Sequence, residues 1–127
     1  MSARVQTLVA TCMDLRFQQV IHEWLEENKL YGKHDRVAME GCVKDRETLM
    51  SQVRTSVEFH DTREIYLFNH EDCGAYKNRE FANKALEKEA HENDLKNTKA
   101  ALKAEFPQLK INTYFISLNG KIDEVAE

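Results

Sequence analysis

Two short stretches of the sequence carry side chains that can bind a metal ion. Cys12 follows the apolar run of residues 5–10, and His70 and Cys73 follow the apolar run of residues 64–69. His70 and Cys73 can bind one ion together from a turn, and Cys12 adds a third ligand if the two runs are neighbouring strands. Two thiolates and one imidazole suit zinc, and three protein ligands leave the fourth tetrahedral position open for water. The pattern therefore predicts a zinc site of the catalytic type.

Asp14 and Arg16 follow Cys12 at alternate positions. Asp14 fits a zinc-site role, but it also fits a simple helix cap, and Arg16 also fits a solvated surface charge.

Cys42 lies beyond the end of another predicted strand. We interpret Cys42 as a packing residue near the site rather than a ligand, because the reversal of strand order is expected between the first and third strands.

The other polar candidates have simpler interpretations. Glu71 and Asp72 are predicted to be turn residues. The remaining histidines lie on or beside polar stretches and are predicted to be solvated: His22, His34, His60 and His91.

Length and composition narrow the class of protein. The chain has 127 residues, which predicts a single domain over residues 1–127, and its formal net charge of -4 offers no basic field for nucleic acid. No apolar run approaches the roughly 20 residues of a membrane span, and the first residues lack the apolar core of a signal peptide. Three cysteines, an odd number, favour thiols or metal ligands over disulfides. We therefore expect a cytoplasmic protein that binds neither nucleic acid nor membranes.

Hydrophobic periodicity predicts strands that alternate with helices. The predicted strands cover residues 5–10, 36–39, 64–69 and 111–117, with a hairpin at Asn119-Gly120 that returns through residues 122–125. The predicted helices cover residues 16–28, a segment capped by Asp45, and two segments between Asn78 and Phe106 that break at Asn93-Asp94.

This alternation predicts an α/β fold in three layers, with a mostly parallel sheet of about four to five strands flanked by helices. Ligands of such sheets bind beyond the carboxyl ends of the strands, where the strand order reverses. Cys12, His70 and Cys73 all lie at strand ends. They should therefore meet at one edge of the sheet.

The combined motifs resemble those of the β-class carbonic anhydrases. That family pairs C-x-D-x-R after one strand with H-x-x-C-G after another. The matching residues are Cys12, Asp14 and Arg16, followed by His70, Cys73 and Gly74.

The resemblance implies a zinc-dependent enzyme that reversibly hydrates carbon dioxide to bicarbonate through a zinc-bound hydroxide. Cys12, His70 and Cys73 would hold the zinc, Asp14 would accept a hydrogen bond from the bound water, and Arg16 would hold Asp14 in place. In some members of the family the equivalent Asp instead binds zinc and closes the site.

Two alternatives stay open at this point. One is a zinc-binding protein without hydratase activity, and the other is an enzyme that acts on another small electrophile, such as a sulfur analogue of carbon dioxide. A redox protein is less favoured, because neither Cys12 nor Cys73 belongs to a C-x-x-C pair.

Aromatic and aliphatic residues near the first helix suggest self-association. Trp24, Leu25, Leu30 and Tyr31 offer more apolar surface than one small core is expected to cover. The family resemblance independently implies dimers. We therefore expect a homodimer.

Overall fold

The computed structural model describes residues 6–76 and 81–125. Within them lie the strands and helices β1 (Thr7–Cys12), α1 (Gln18–Glu27), β2 (Asp35–Met39), α2 (Arg46–His60), β3 (Glu64–His70), α3 (Lys84–Glu105), β4 (Lys110–Ile116) and β5 (Ile122–Glu124). Single 3₁₀ turns cover Leu15–Phe17, Cys42–Lys44 and Gly74–Tyr76. No helix in these two ranges is both long enough and apolar enough to cross a membrane.

The strands form a mixed five-stranded sheet in the order β2-β1-β3-β4-β5. Strands β2, β1, β3 and β4 run parallel, and β5 pairs antiparallel with β4. The order of the strands reverses between β1 and β3, because the chain goes from β1 outward to β2 and then returns to β3 on the other side. The carboxyl ends of β1 and β3 therefore lie side by side at the point where such sheets bind ligands.

Helices cover both faces of the sheet, as the alternating pattern predicts. On one face, α1 packs its apolar residues against the sheet, with Ile21, Trp24 and Leu25 buried beside Phe68. The opposite face carries the larger core, to which α2 and α3 contribute Leu49, Met50, Val53, Leu95 and Leu102. The predicted three-layer α/β fold is confirmed.

The polar caps and the hairpin lie close to their predicted positions. Asp45 caps α2, with its Oδ1 accepting a hydrogen bond of 3.2 Å from the Thr48 amide. The turn before β5 contains Gly120 in the left-handed region at φ 87°, a conformation that glycine adopts without steric cost. The first α-helix begins at Gln18 rather than residue 16, after a 3₁₀ turn.

The prediction of two helices between Asn78 and Phe106 is wrong. Within the described residues, α3 is one continuous helix that begins at Lys84 and passes through Asn93 and Asp94 without a break. Its first turn is capped by Asn83, whose Oδ1 accepts a hydrogen bond of 2.9 Å from the Leu86 amide. Residues 78–80 of the predicted segment lie outside the described residues.

The prediction of solvated histidines holds for His22, which is exposed, but not for the others. His34 and His60 are half-buried, and each has a hydrogen-bonded ring nitrogen. His91 is fully buried on the inner face of α3. A neutral imidazole can be buried when its nitrogens have partners, so a polar sequence neighbourhood does not place a histidine at the surface.

The residues used to predict self-association are mostly inside the molecule. Trp24 and Leu25 belong to the core beneath α1, and Leu30 packs against that core. Only Tyr31 of the four is exposed. The apolar surface near α1 is thus covered largely by the chain's own sheet.

Candidate metal centre

Three potential metal ligands meet at the carboxyl ends of β1 and β3. Cys12 is the last residue of β1, His70 is the last residue of β3, and Cys73 follows three residues later. The Sγ atoms of the two cysteines are 4.0 Å apart, and one ligand atom from each of the three residues lies within 4.8 Å of the others. The structure therefore brings together all three of the predicted ligands.

His70 presents one nitrogen to the two thiols. Its Nδ1 donates a hydrogen bond of 2.8 Å to the Glu71 carbonyl, which can only accept, so the neutral ring carries no proton on Nε2. Nε2 is buried and, apart from the Cys12 sulfur, has no hydrogen-bond partner among the described residues. The Phe17 ring lies 4.3 Å from the imidazole and limits its movement. A buried nitrogen lone pair beside two thiols fits a zinc ion, and the backbone bond is the usual support for a zinc-binding histidine.

The two thiols have different acidities. Hydrogen bonding from Cys73 is the main cause that lowers the pKa of Cys12, and hydrogen bonding with His70 adds to it against the effect of burial. The same contact raises the pKa of Cys73, since its proton is held by the Cys12 sulfur. Burial lowers the pKa of His70, but hydrogen bonds with Cys12 and the Glu71 carbonyl outweigh it and raise that pKa. A negative charge is thus already favoured at Cys12.

Arg16 holds the Asp14 carboxylate by several hydrogen bonds. Asp14 Oδ1 accepts from the backbone N–H of Arg16 at 2.9 Å and from its Nε at 3.1 Å, while Oδ2 accepts from Nη2 at 2.7 Å. These bonds hold the pKa of Asp14 down to about 2. The carboxylate also caps the 3₁₀ turn that starts at Leu15, so the cap and the arginine contact occur together.

Asp14 lies next to the three potential ligands but does not join them. Its Oδ2 is 3.9 Å from His70 Nε2, beyond hydrogen-bond distance. Arg16 is anchored on the other side by Asp72, through a 3.1 Å bond to the carboxylate and a 2.9 Å bond to the carbonyl. Since Asp72 comes directly before Cys73, the Arg16 side chain connects the two stretches that form the site.

Cys42 is fully buried in the larger core. Burial is the main cause that raises its pKa to about 12, so this thiol keeps its proton. It is absent from the only three-residue group of potential ligands found in residues 6–76 and 81–125. Its position fits the interpretation of a packing residue.

The loop that carries Cys42 approaches the loop after Cys73 very closely. Gly41 has φ 70°, and a Cβ atom at this position would lie 2.5 Å from the Ala75 Cβ and 2.8 Å from the Lys44 Cβ. Only glycine fits both this backbone conformation and this space.

Several residues around the site were not found by sequence reasoning. Glu71 and Asp72 form the predicted turn, but Asp72 also binds Arg16, and its amide donates to Glu87 on α3. Asn69 and His91 form a buried polar contact behind His70. These contacts join residues 15 or more positions apart, and no short motif in the sequence signals them.

The fold and the site together define a class: an α/β protein with a Cys-His-Cys group at the carboxyl ends of two parallel strands. The family described as "Putative carbonic anhydrase" matches residues 1–126. The chain belongs to this family.

Individual proteins resemble the chain in sequence or in fold. An uncharacterised protein of Rickettsia bellii (strain RML369-C) is 27% identical over 134 residues, which cover 95% of this chain and 82% of the relative. A carbonic anhydrase from Glaciozyma antarctica has a similar structure, with a TM-score of 0.69, 19% identity, and coverage of 99% of this chain and 85% of the other. A carbon disulfide hydrolase in its apo form gives a TM-score of 0.68 at 11% identity, covering 100% and 81%. At these identities the two solved structures show a shared fold.

Proposed function

We propose that the protein is a zinc-dependent carbonic anhydrase that reversibly hydrates carbon dioxide to bicarbonate. The observation that carries the proposal is that Arg16 holds Asp14 by hydrogen bonds next to three convergent potential ligands. Both carboxylate oxygens of Asp14 accept hydrogen bonds from Arg16, so the acid is held next to the Cys12, His70 and Cys73 group rather than within it. Three protein ligands with a free fourth position are the arrangement of catalytic zinc sites.

Zinc, when bound by Cys12, His70 and Cys73, supplies a Lewis acid that makes water nucleophilic. The chain's own residues do the rest. Asp14 is ionised at all working pH values, because Arg16 holds its pKa to about 2, so it accepts a hydrogen bond and orients the attacking water. Arg16 keeps the carboxylate in place and prevents it from rotating towards the ligands. Two thiolates donate more charge than neutral imidazoles, so we expect the activity to favour alkaline pH.

Action on another small electrophile is a second candidate. Met13 and Leu15 flank Asp14 in the sequence, and both are exposed. Leu118 is also exposed and lines the same surface depression as Arg16. Carbon disulfide, like carbon dioxide, is small and uncharged, and one protein of similar fold is a carbon disulfide hydrolase.

The decisive experiment measures zinc content and hydration rate on the same preparations of wild type, Asp14→Asn and Arg16→Ala. If Asp14 orients water, the Asn variant keeps its zinc and loses about 10- to 100-fold in turnover. Arg16→Ala should lose turnover too, because a released carboxylate can rotate towards the metal. If Asp14 is instead a fourth ligand in a protein without hydratase activity, Asp14→Asn weakens zinc binding and has no turnover to lose. Wild-type zinc and wild-type turnover in both variants would reject the role of this pair.

We also propose a homodimer in a reducing, cytoplasmic setting. The support for a dimer is the number of large apolar side chains that are exposed, among them Met13, Leu15 and Leu118, together with Tyr31 near α1. The support for a reducing setting is that oxidation of Cys12 and Cys73 would remove two of the three ligands. Light scattering at micromolar concentration tests the assembly, and a monomer would contradict it.

A further inference from the structure

One glutamate of α3 reaches the loop that lies between two of the potential zinc ligands. Glu87 Oε2 accepts a hydrogen bond of 2.7 Å from the backbone N–H of Asp72, and Asp72 lies between His70 and Cys73. The Glu87 side chain is only 15% exposed. The contact is thus a charge-assisted hydrogen bond to a mostly buried carboxylate, and such a bond is stronger than a typical surface ion pair.

The backbone of Asp72 is in a conformation that few residues adopt. Its φ of 59° lies in the left-handed region, which aspartate tolerates better than most residues because its short side chain can hydrogen-bond locally. Its amide N–H is bound to Glu87, and its carbonyl and carboxylate are bound to Arg16. A rotation of the backbone at Asp72 would therefore disturb the arginine that holds Asp14.

Glu87 is itself supported by a buried polar contact behind the site. His91 Nδ1 accepts a hydrogen bond of 2.9 Å from Asn69 Nδ2, so the neutral imidazole carries its proton on Nε2. That nitrogen lies 3.8 Å from Glu87 Oε2, beyond hydrogen-bond distance but close enough for electrostatic attraction. Asn69 directly precedes His70 in β3. The contacts from Asn69 through His91 and Glu87 to Asp72 thus reach the chain on both sides of His70.

We propose that Glu87 is a positioning residue, which holds Asp72 and through it keeps Arg16 and Asp14 in the geometry that the metal site requires. This inference rests on the proposed function, in which Asp14 orients the attacking water. Glu87 does not touch the ligand group itself. Its effect passes from α3 to Asp72, from Asp72 to Arg16, and from Arg16 to Asp14.

Two substitutions at Glu87 distinguish the effect of side-chain length from the effect of charge. Glu87→Asp keeps the charge but draws the carboxylate back by one methylene, away from the Asp72 amide. Glu87→Gln removes the charge but keeps an oxygen that can accept the same hydrogen bond. Glu89→Asp is the matched control, because Glu89 is exposed on the same helix. Each variant is prepared as the zinc form for hydration assays and as the cobalt(II) form, whose visible spectrum reports the number and type of metal ligands.

We expect Glu87→Asp to lower the hydration rate by about tenfold and to alter the cobalt spectrum, whereas Glu87→Gln stays within about threefold of wild type. In an Asp14→Asn background, Glu87→Asp should have no further effect on either measurement, because the residue through which it acts is already neutralised. Glu89→Asp should match wild type. Thermal unfolding of every variant checks that the fold is retained.

The proposal is overturned if Glu87→Asp behaves like Glu89→Asp, or if it causes the same additional loss in the Asp14→Asn background. If the wild-type zinc protein does not hydrate carbon dioxide, the proposed function fails, but the cobalt spectra still decide whether Glu87 acts through Asp14. Amide hydrogen exchange provides a test without any substitution. The Asp72 amide should be protected in the unmodified protein, and rapid exchange at this amide would reject the proposal even if Glu87→Asp did not fold.

Discussion

A histidine lies near an aspartate at both ends of the sheet, but the two pairs are built differently. At the carboxyl end, His70 Nδ1 is bound to a backbone carbonyl, and Nε2 is left facing two thiols, 3.9 Å from Asp14. At the amino end, His60 Nδ1 donates directly to the Asp35 carboxylate at 2.7 Å. The first pair leaves a nitrogen available for a metal, and the second uses its nitrogen for a structural contact.

The hydroxyl groups at the amino end complete the contrast. Ser56 Oγ donates to Asp35 at 2.6 Å and also contacts the Thr62 hydroxyl. Ser56, His60 and Asp35 have the residue types of a hydrolytic triad, yet both the serine and the histidine bind the carboxylate rather than each other. The serine therefore has no base to activate it. The partner of each nitrogen and oxygen, rather than the residue types, decides which end of the sheet can do chemistry.

The largest expected effect comes from removing a ligand at the carboxyl end. Cys73→Ser should lower the zinc bound per chain by more than about tenfold, because a hydroxyl is a far poorer zinc ligand than a thiolate. Metal analysis by mass spectrometry on purified protein measures this. We expect about one zinc per chain in the wild type.

Cys42→Ser is the matched control for that experiment. Cys42 is buried in the core and keeps its proton, so its loss should reduce stability without removing the metal. Loss of zinc from Cys42→Ser alone would show that the ligand set is wrong.

At the amino end we expect an effect on stability alone. Asp35→Ala leaves the Ser56 hydroxyl without its carboxylate acceptor and removes the partner of His60, so the free energy of unfolding should fall by about 1–3 kcal/mol. Zinc content should not change. Urea denaturation followed by fluorescence measures the free energy of unfolding. A loss of zinc from the folded Asp35→Ala protein would contradict the assignment of a purely structural role to the amino end.

A smaller effect should arise between the two ends, from Tyr66 in β3. Burial is the main cause that raises the pKa of Tyr66 to about 12, and the nearby Glu64 adds to it. Above pH 10 the unfolded chain releases this proton while the folded chain retains it, so stability should decrease as pH rises from about 10 to about 12. Unfolding midpoints across this range measure the loss.

Tyr66→Phe is the control for the alkaline effect, because it removes the proton that titrates. The variant should lose less stability than wild type over the same pH interval. Equal losses in the two proteins would assign the effect to another group. The result also sets the upper pH at which hydration assays report on a folded protein.

The strand ends and the ligand group could be predicted from the sequence because both depend on local signals. Apolar runs followed directly by Cys12 and His70 indicate strand ends, and parallel strands place such ends at one edge. The continuity of α3 could not be predicted from local propensity, which favours a break at Asn93-Asp94. Asp94 accepts a hydrogen bond of 2.8 Å from the Tyr76 hydroxyl, and this tertiary contact is compatible with an unbroken helix.

The buried polar residues show the same limit. His91 lies in a polar stretch of the sequence, yet its side chain is buried between two aromatic rings. Its ring centroid is 4.0 Å from that of Tyr76 and 5.3 Å from that of Phe115. The contact between Glu87 and Asp72 depends on how α3 lies across the end of β3. Such placement follows from the packing of whole helices and strands, and no local pattern in the sequence indicates it.

The close approach at Gly41 has a consequence for how this protein can vary. A methyl group there would collide with Ala75, and Ala75 is joined to Cys73 by a single residue. Position 41 contributes no side chain to the ligand group, yet any larger residue would push on the segment that carries a sulfur ligand. In the laboratory or in evolution, tolerance to substitution should therefore be as low at Gly41, which has no side chain, as at the reactive residues nearby.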